Sequence, residues 1–246
     1  MADVVSVTGF ILSSMPVGDY DRRVVILSRE LGKIAAFAKG ARRRNSHLIG
    51  VTRPFIFGTF EVYRGRDSYT IQKANVTNYF EELVSDLDGV LYGYYFAELA
   101  EYYGRENLDA ADMINLLYVA FKALVNKSLP NELVRYIYEI RLIAVNGECP
   151  DFFSCAGCGS EKELQLYSYK ENGMYCVECA ASSGDGIVLQ SSTLYTLQYI
   201  ITAPLTKLFN FVVKADVLNE LKKVVNRIEF ITFDKHFKSK EMLDIG

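Results

Sequence analysis

The sequence predicts an α+β protein with more than one domain, in which a five-stranded β-barrel precedes an α-helical region that carries a four-cysteine, zinc-ribbon-like insertion. Three observations predict this class. The first 80 residues contain short β-rich segments separated by turn residues. After residue 80 the apolar residues recur with helical spacing, and two C-x2-C pairs interrupt the helical part.

The barrel prediction rests on five segments rich in β-branched and aromatic residues, at 4–12, 22–29, 32–40, 54–65 and 67–76. Five strands in about 75 residues favour an OB-fold, and an SH3-like barrel stays open because strand count alone does not distinguish them. The segment 41–53 is short for the helix that many OB-folds place between strands three and four. We expect this domain to span residues 1–79.

The helical prediction rests on apolar residues that recur every three or four positions. In 109–127 the apolar positions follow one face of a helix, and Asp109 is placed to cap it. Asn131 is a second candidate cap. The predicted helices cover 89–103, 109–127, 131–146, 191–202 and 216–229. We expect a helical domain over 80–246 with a zinc-binding insertion at about 149–182.

The insertion is defined by four cysteines in two matched pairs. Cys155 and Cys158 form the first pair, and Cys176 and Cys179 form the second after seventeen residues. This spacing predicts one structural Zn²⁺ per chain, because each C-x2-C turn directs two thiolates at one metal and four thiolates leave no open coordination position. The alternative is two pairs of buried or redox-active thiols. Cys149 is interpreted as a packed thiol outside the site.

The charges are distributed unevenly along the chain. Residues 1–80 contain twelve Lys and Arg against six Asp and Glu, a net charge of +6, whereas residues 81–246 have a net charge of −9. This asymmetry favours a barrel that binds a polyanion, with a solvated loop as the alternative for the arginine run. The candidate DNA-binding residues are Arg22, Arg23, Lys33, Lys39, Arg42, Arg43, Arg44, Arg53, Arg64 and Arg66. Phe37, next to this loop, is expected in the barrel core.

Several classes of protein are disfavoured by what the sequence lacks. No apolar run reaches the length of about 18–20 residues that a membrane span needs. The N-terminal MADVVSVTGF has no basic region before an apolar stretch, so we expect a cytoplasmic protein rather than a secreted one. There is no P-loop, and the two histidines, His47 and His236, lie in no catalytic pattern. We therefore expect a protein without enzymatic activity.

The order of these features resembles the RecO family of bacterial recombination mediators. The resemblance is carried by GDYDRRVVILSRELGKIAAFAKGARRRNS at 18–46 and PFIFGTFEVYRGRDSYTIQKANV at 54–76. It continues in NGECPDFFSCAGCG at 146–159, ENGMYCVECA at 171–180 and HFKSKEML at 236–243. The run GKI…AKGARR…S, from Gly32 to Ser46, is its most specific part.

The resemblance implies an N-terminal OB-fold, a helical C-terminal domain and a zinc-ribbon-like insertion. It implies a non-catalytic protein of the bacterial cytoplasm and nucleoid that binds single- and double-stranded DNA and anneals complementary strands. It further implies RecR as a partner in loading RecA onto SSB-coated DNA, with the acidic, apolar-ended tail of SSB bound to the helical domain. Two alternatives are a zinc-containing enzyme that holds RNA or a nucleotide on the basic barrel, and a zinc-ribbon adaptor that binds only protein.

Overall fold

The first five strands of the computed structural model, which describes residues 4–66, 68–182 and 184–245, form a closed barrel. They are β1 (Val4–Val17), β2 (Asp21–Ser28), β3 (Gly32–Ala38), β4 (Phe57–Arg64) and β5 (Tyr69–Asn78). The strand order is β1-β2-β3-β5-β4, and β4 returns to β1. Only β3 and β5 pair in parallel, and every other pairing is antiparallel. This topology is that of the OB-fold, which confirms the predicted fold class.

The long first strand closes the barrel because it pairs with two neighbours. Its N-terminal half pairs with β4 and its C-terminal half with β2, and a bulge between Ile11 and Ser13 bends the strand where the partner changes. Gly9 lies just before this bend, where a Cβ would come within 1.9 Å of the carbonyl oxygen of Leu27. The connection from β3 to β4 contains turns and no helix, as its length predicted.

The interior of the barrel is filled by small and branched apolar side chains. On β3 these are Ile34, Ala36 and Ala38, all buried. Because neighbouring residues on a strand point to opposite faces, Phe37 points outward and is only half-buried. The expectation that Phe37 belongs to the barrel core is therefore wrong. It pairs instead with Arg23 on one side and Thr70 on the other, along the outer surface.

The barrel forms one compact unit with four helices, the unit that comprises Met1–Asn126 and Phe237–Gly246. The helices are α1 (Glu81–Ser85), α2 (Leu87–Tyr103), α3 (Ala111–Asn126) and α8 (Lys238–Ile245). Phe10 points out of the barrel and packs its ring against Phe121 of α3 with centroids 5.4 Å apart. Asp109 caps α3 as predicted, since its Oδ1 accepts from the backbone N–H of Ala111 at 2.8 Å.

The second compact unit, Lys127–His236, contains the remaining helices and a small sheet. The helices are α4 (Asn131–Val145), α5 (Ser191–Thr202), α6 (Leu205–Leu208) and α7 (Ala215–Thr232), with a short 3-10 turn at Ala180–Ser182. Asn131 does not cap α4, because the cap position is Pro130. The sheet contains β6 (Leu164–Ser168), β7 (Gly173–Cys176) and β8 (Gly186–Val188), with β6 in the centre.

The five predicted helices correspond to α2, α3, α4, α5 and α7, whereas α1, α6 and α8 were not predicted. The compact units divide after residue 126, but the barrel itself ends at Asn78. The division into domains 1–79 and 80–246 stays a prediction. Within the described part of the chain, no helix is both long enough and apolar enough to cross a membrane.

Candidate metal centre and nucleic-acid interface

The four paired cysteines converge on one point of the second unit. The Sγ atoms of Cys155, Cys158, Cys176 and Cys179 all lie within 4.8 Å of one another. The Sγ atoms of Cys158 and Cys176 are 3.8 Å apart. Four sulfur atoms at a Zn–S distance of about 2.3 Å in a tetrahedron are separated by about 3.8 Å, so the arrangement fits a four-coordinate metal.

Two tight turns direct the sulfur atoms inward. In the first, the N–H of Gly159 donates to the carbonyl of Cys155 at 2.8 Å, and Gly159 has a φ of +75°. In the second, the N–H of Cys179 donates to the carbonyl of Cys176 at 3.1 Å. A Cβ on Gly157 would lie 3.4 Å from the Sγ of Cys179, so this glycine permits the two turns to approach closely.

The local backbone favours the thiolate form of the first cysteine. Burial acts to raise the pKa of Cys155, but N–H groups of Cys176, Cys158 and Gly157 donate to its sulfur and lower the pKa to about 6. The N–H of Cys176 is 3.3 Å from this sulfur. Thiolates are the form that binds metal ions, so Cys155 is set up to ligate one.

The fifth cysteine lies outside this cluster. Cys149 is not among the residues whose sulfur atoms converge, and burial raises the pKa of its thiol to about 12. It therefore stays a neutral thiol at physiological pH, as expected for a packed side chain.

The arginine run lies in the loop that follows β3, and backbone contacts fix this loop to the turn between β1 and β2. The N–H of Arg42 donates to the carbonyl of Tyr20 at 2.8 Å, and its guanidinium donates to the carbonyl of Gly18 at 3.2 Å. The N–H of Gly40 donates to Oδ1 of Asp21 at 2.7 Å, and Gly40 has a φ of +66°. The loop is thus held in one conformation at its base.

The predicted DNA-binding residues fall into two groups by exposure. The exposed group contains Lys39, Arg42, Arg43, Arg44, Arg53, Arg64 and Arg66. The half-buried group contains Arg22, Arg23 and Lys33. Within the described residues, Arg42, Arg43 and Arg44 form no ion pair with a carboxylate.

The half-buried cations have partners inside the first unit. Lys33 Nζ donates to the backbone carbonyl of Glu101 on α2 at 2.7 Å, and Arg22 Nη1 donates to Oγ of Ser14 at 3.1 Å. Arg23 pairs across the sheet with Met15 and Phe37 on the outer surface. Lys33 and Arg22 are therefore tied to other residues of the first unit, whereas the exposed group lies at the surface.

Sequence reasoning missed one side chain at this surface. Tyr20 lies in the turn between β1 and β2, is 53% exposed, and has the guanidinium of Arg43 over its ring, 5.2 Å from the centroid. The position of Tyr20 in the sequence could have predicted its exposure. It lies in a turn, and the alternation that buries every second residue of a strand does not apply there.

Known families match the chain over nearly its full length. A family model described as Recombination protein O N terminal matches residues 1–80, and one described as Recombination protein O C terminal matches residues 84–241. The DNA repair protein RecO of Acetivibrio thermocellus is 30% identical over 241 residues, covering 96% of this chain and 94% of the relative. That of Alkaliphilus metalliredigens is 27% identical, covering 97% and 98%, and that of Bacillus subtilis is 26% identical, covering 96% and 92%.

Proposed function

The chain belongs to the RecO family of DNA repair and recombination proteins, and we propose that it acts as a recombination mediator without enzymatic activity. In this role it binds single- and double-stranded DNA and anneals complementary strands. Together with RecR it assists the loading of RecA onto DNA coated with SSB. Its place of action is the bacterial cytoplasm, on the nucleoid.

One observation carries the proposal of DNA binding. The loop after β3 presents the exposed residues Arg42, Arg43 and Arg44, which form no ion pair with a described carboxylate. Exposed guanidinium groups that no carboxylate neutralises can bind phosphates, and the counterions that leave the DNA drive association. The net charge of +6 over residues 1–80 attracts the polyanion to the barrel.

Annealing follows from the same electrostatics. Contacts to phosphates are independent of sequence, so two different strands can bind to one basic surface. Neutralised phosphates repel each other less, and bases from the two strands can then pair. The protein needs no covalent step for this activity, because it concentrates and shields the reactants.

We propose that the metal held by the four cysteines is zinc. When bound, zinc neutralises the thiolates and links the two turns, which stabilises this part of the fold. Cys155, Cys158, Cys176 and Cys179 would supply all four ligands, and the site would have no position for a substrate. The role of the ion is therefore structural.

The second unit carries a surface that suits the SSB tail. A cavity of about 520 Å³ is lined by aromatic and aliphatic side chains, among them Tyr195, Tyr199 and Phe211, together with polar ones, among them Lys214 and Asp216. Aromatic walls suit the apolar end of the tail, and Lys214 is the lining residue that suits its acidic residues. We propose this cavity as the place where the tail binds.

The experiment compares wild type with a variant in which Arg42, Arg43 and Arg44 are changed to alanine. Fluorescence anisotropy with a labelled single strand, across a salt series, should show affinity at least tenfold weaker at low salt. The salt slope should decrease by roughly 2–3, since each phosphate contact contributes about 0.7–0.9. The rate of strand annealing, followed by energy transfer between labelled strands, should fall in parallel.

The matched control changes Lys162, Lys170 and Lys223 to alanine, which removes three exposed positive charges from the second unit. This control should bind and anneal DNA as wild type does. Both variants should bind a labelled acidic peptide with an apolar carboxyl end, because the cavity is unchanged. If the arginine variant keeps wild-type DNA affinity and salt slope, the proposed DNA surface is wrong. If wild type does not bind the peptide, the proposed tail site is wrong.

A further inference from the structure

Tyr20 lies at the tip of the hairpin formed by β1 and β2. Its turn, Gly18–Tyr20, joins the two strands, and Gly18 has a φ of +56°. An apolar ring in contact with water is unfavourable, and yet 53% of Tyr20 is exposed. Exposed aromatic rings next to arginines are the pattern found where proteins stack on unpaired bases.

The loop that follows β3 and contains Arg42, Arg43 and Arg44, called here the arginine loop, holds the ring in position. The guanidinium of Arg43 lies 5.2 Å from the ring centroid, within the range of a cation–π contact. The carbonyl of Tyr20 accepts from the N–H of Arg42 at 2.8 Å, and the carbonyl of Gly18 accepts from the guanidinium of Arg42. A cation therefore lies over the ring, and 53% of the residue remains exposed.

The exposed aromatic residue at the other end of the barrel has different surroundings. Tyr79 is 44% exposed and directly follows the last barrel strand, but Glu81 and Glu82 come after it and line the same surface depression. These carboxylates repel a phosphate backbone. Tyr20 also has acidic neighbours in the chain, Asp19 and Asp21, but Asp21 Oδ1 accepts from the N–H of Gly40, and the guanidinium of Arg43 lies over the tyrosine ring. The guanidinium over the ring, rather than exposure, distinguishes Tyr20 from Tyr79.

We propose that Tyr20 stacks on an unpaired base of bound DNA, with Arg43 on one side of the ring and the base on the other. This inference rests on the proposed DNA binding by the barrel and adds a preference to it. In a duplex, each base is covered on both faces by its neighbours, so only the terminal pairs can stack on a protein ring. The Tyr20–Arg43 pair therefore makes the barrel favour single strands over duplex, while the arginines themselves contact the phosphates of both.

The first test compares Tyr20→Ala and Tyr20→Phe with Tyr79→Ala as the matched control. Binding is measured by anisotropy to a labelled single strand and to a blunt duplex of the same length. Tyr20→Ala should weaken single-strand binding roughly tenfold, the size of one lost stacking contact, and leave duplex binding within about twofold. Tyr20→Phe and Tyr79→Ala should bind as wild type does, since stacking needs the ring and not the hydroxyl.

The second test uses a tryptophan as a reporter, because the chain contains none. In the variant Tyr20→Trp, a single strand should quench the indole fluorescence by stacking, and the duplex should quench it much less. The variant Tyr79→Trp should respond to neither. These fluorescence changes report contact with the base directly and do not depend on an effect of the substitution on affinity.

Three outcomes would overturn the inference, and they differ from a failure of the proposed function. The first is that Tyr20→Ala binds the single strand with wild-type affinity. The second is that Tyr20→Ala loses equal affinity for single strand and duplex, which would mean that Tyr20 only positions the arginine loop. The third is that the single strand quenches the indole fluorescence of Tyr20→Trp and Tyr79→Trp equally. If instead the triple arginine variant binds DNA normally, the proposed DNA surface fails.

Discussion

The two compact units differ in where they place charged and metal-binding side chains. The first unit, Met1–Asn126 and Phe237–Gly246, is called here the barrel unit, and the second unit, Lys127–His236, the helical unit. In the barrel unit, Arg42, Arg43 and Arg44 extend into solvent and form no ion pair with a described carboxylate. In the helical unit, four thiols converge within 4.8 Å of one another. That unit also buries Arg135 against two carboxylates, with its Nε 2.7 Å from Glu139 Oε1 and its Nη2 3.7 Å from Glu229 Oε2.

The difference separates two uses of charge. The charge of a buried side chain is balanced by the charges of its neighbours. Its removal leaves those neighbouring charges buried without a partner and lowers the free energy of unfolding. An exposed group without a protein partner contributes little to stability and is available for a ligand. We therefore expect substitutions in the helical unit to change folding and substitutions in the arginine loop to change DNA affinity.

The largest expected effect is loss of the metal. Changing Cys158 to serine should reduce bound zinc, measured by elemental analysis of protein purified under reducing conditions, from one per chain to near zero. The segment 149–182 should become sensitive to protease, because metal binding and local folding are coupled. Single-strand binding at fixed salt should stay within about twofold, since the arginine loop belongs to the other unit.

The control for the metal prediction is Cys149→Ser, which should keep one zinc per chain and wild-type resistance to protease. Wild-type protein that contains well under one zinc per chain would contradict the four-thiolate site. A loss of DNA binding in Cys158→Ser, with the barrel still folded, would contradict the separation between the two regions.

A smaller effect is expected at the buried carboxylate of Glu139. Burial raises its pKa well above the ordinary 4.5, Glu229 raises it further, and Arg135 opposes the change. The folded state therefore binds this proton more tightly than the unfolded state. As pH rises above about 4.5, the unfolded state loses the proton first, and the wild-type free energy of unfolding decreases until the pH passes the raised pKa.

The variant Glu139→Gln resembles the protonated acid and does not titrate. Its stability relative to wild type should increase as the pH rises from 5 to 8, by about 1–4 kcal/mol, because each pH unit between the unfolded and the folded pKa costs wild type up to about 1.4 kcal/mol. Urea unfolding of both proteins across this pH range measures the difference. A constant difference for Glu139→Gln would show that Glu139 does not hold a proton more tightly in the folded state.

The parts of this molecule that sequence could predict are those set by local spacing. The C-x2-C pairs, the β-branched strands and the helical periods each lie within one short segment, and the structure places them as expected. The two errors differ in origin. Lys33 is 68 residues from the carbonyl that it contacts, and no local pattern encodes that contact. Phe37 is outward because it alternates with the buried Ile34, Ala36 and Ala38, so the period of the strand could have predicted its face.

The smallest expected effect compares two cations of the barrel that the sequence did not distinguish. Lys33→Ala removes a half-buried hydrogen bond to the carbonyl of Glu101, so the free energy of unfolding should decrease by about 1–2 kcal/mol while DNA affinity stays unchanged. Arg44→Ala removes an exposed charge, so stability should stay within about 0.5 kcal/mol while single-strand affinity falls roughly two- to fivefold. Urea unfolding and anisotropy on the same two proteins measure both quantities. If Lys33→Ala weakens DNA binding as much as Arg44→Ala does, Lys33 leaves α2 to contact phosphate, and exposure in the free protein does not identify the DNA surface.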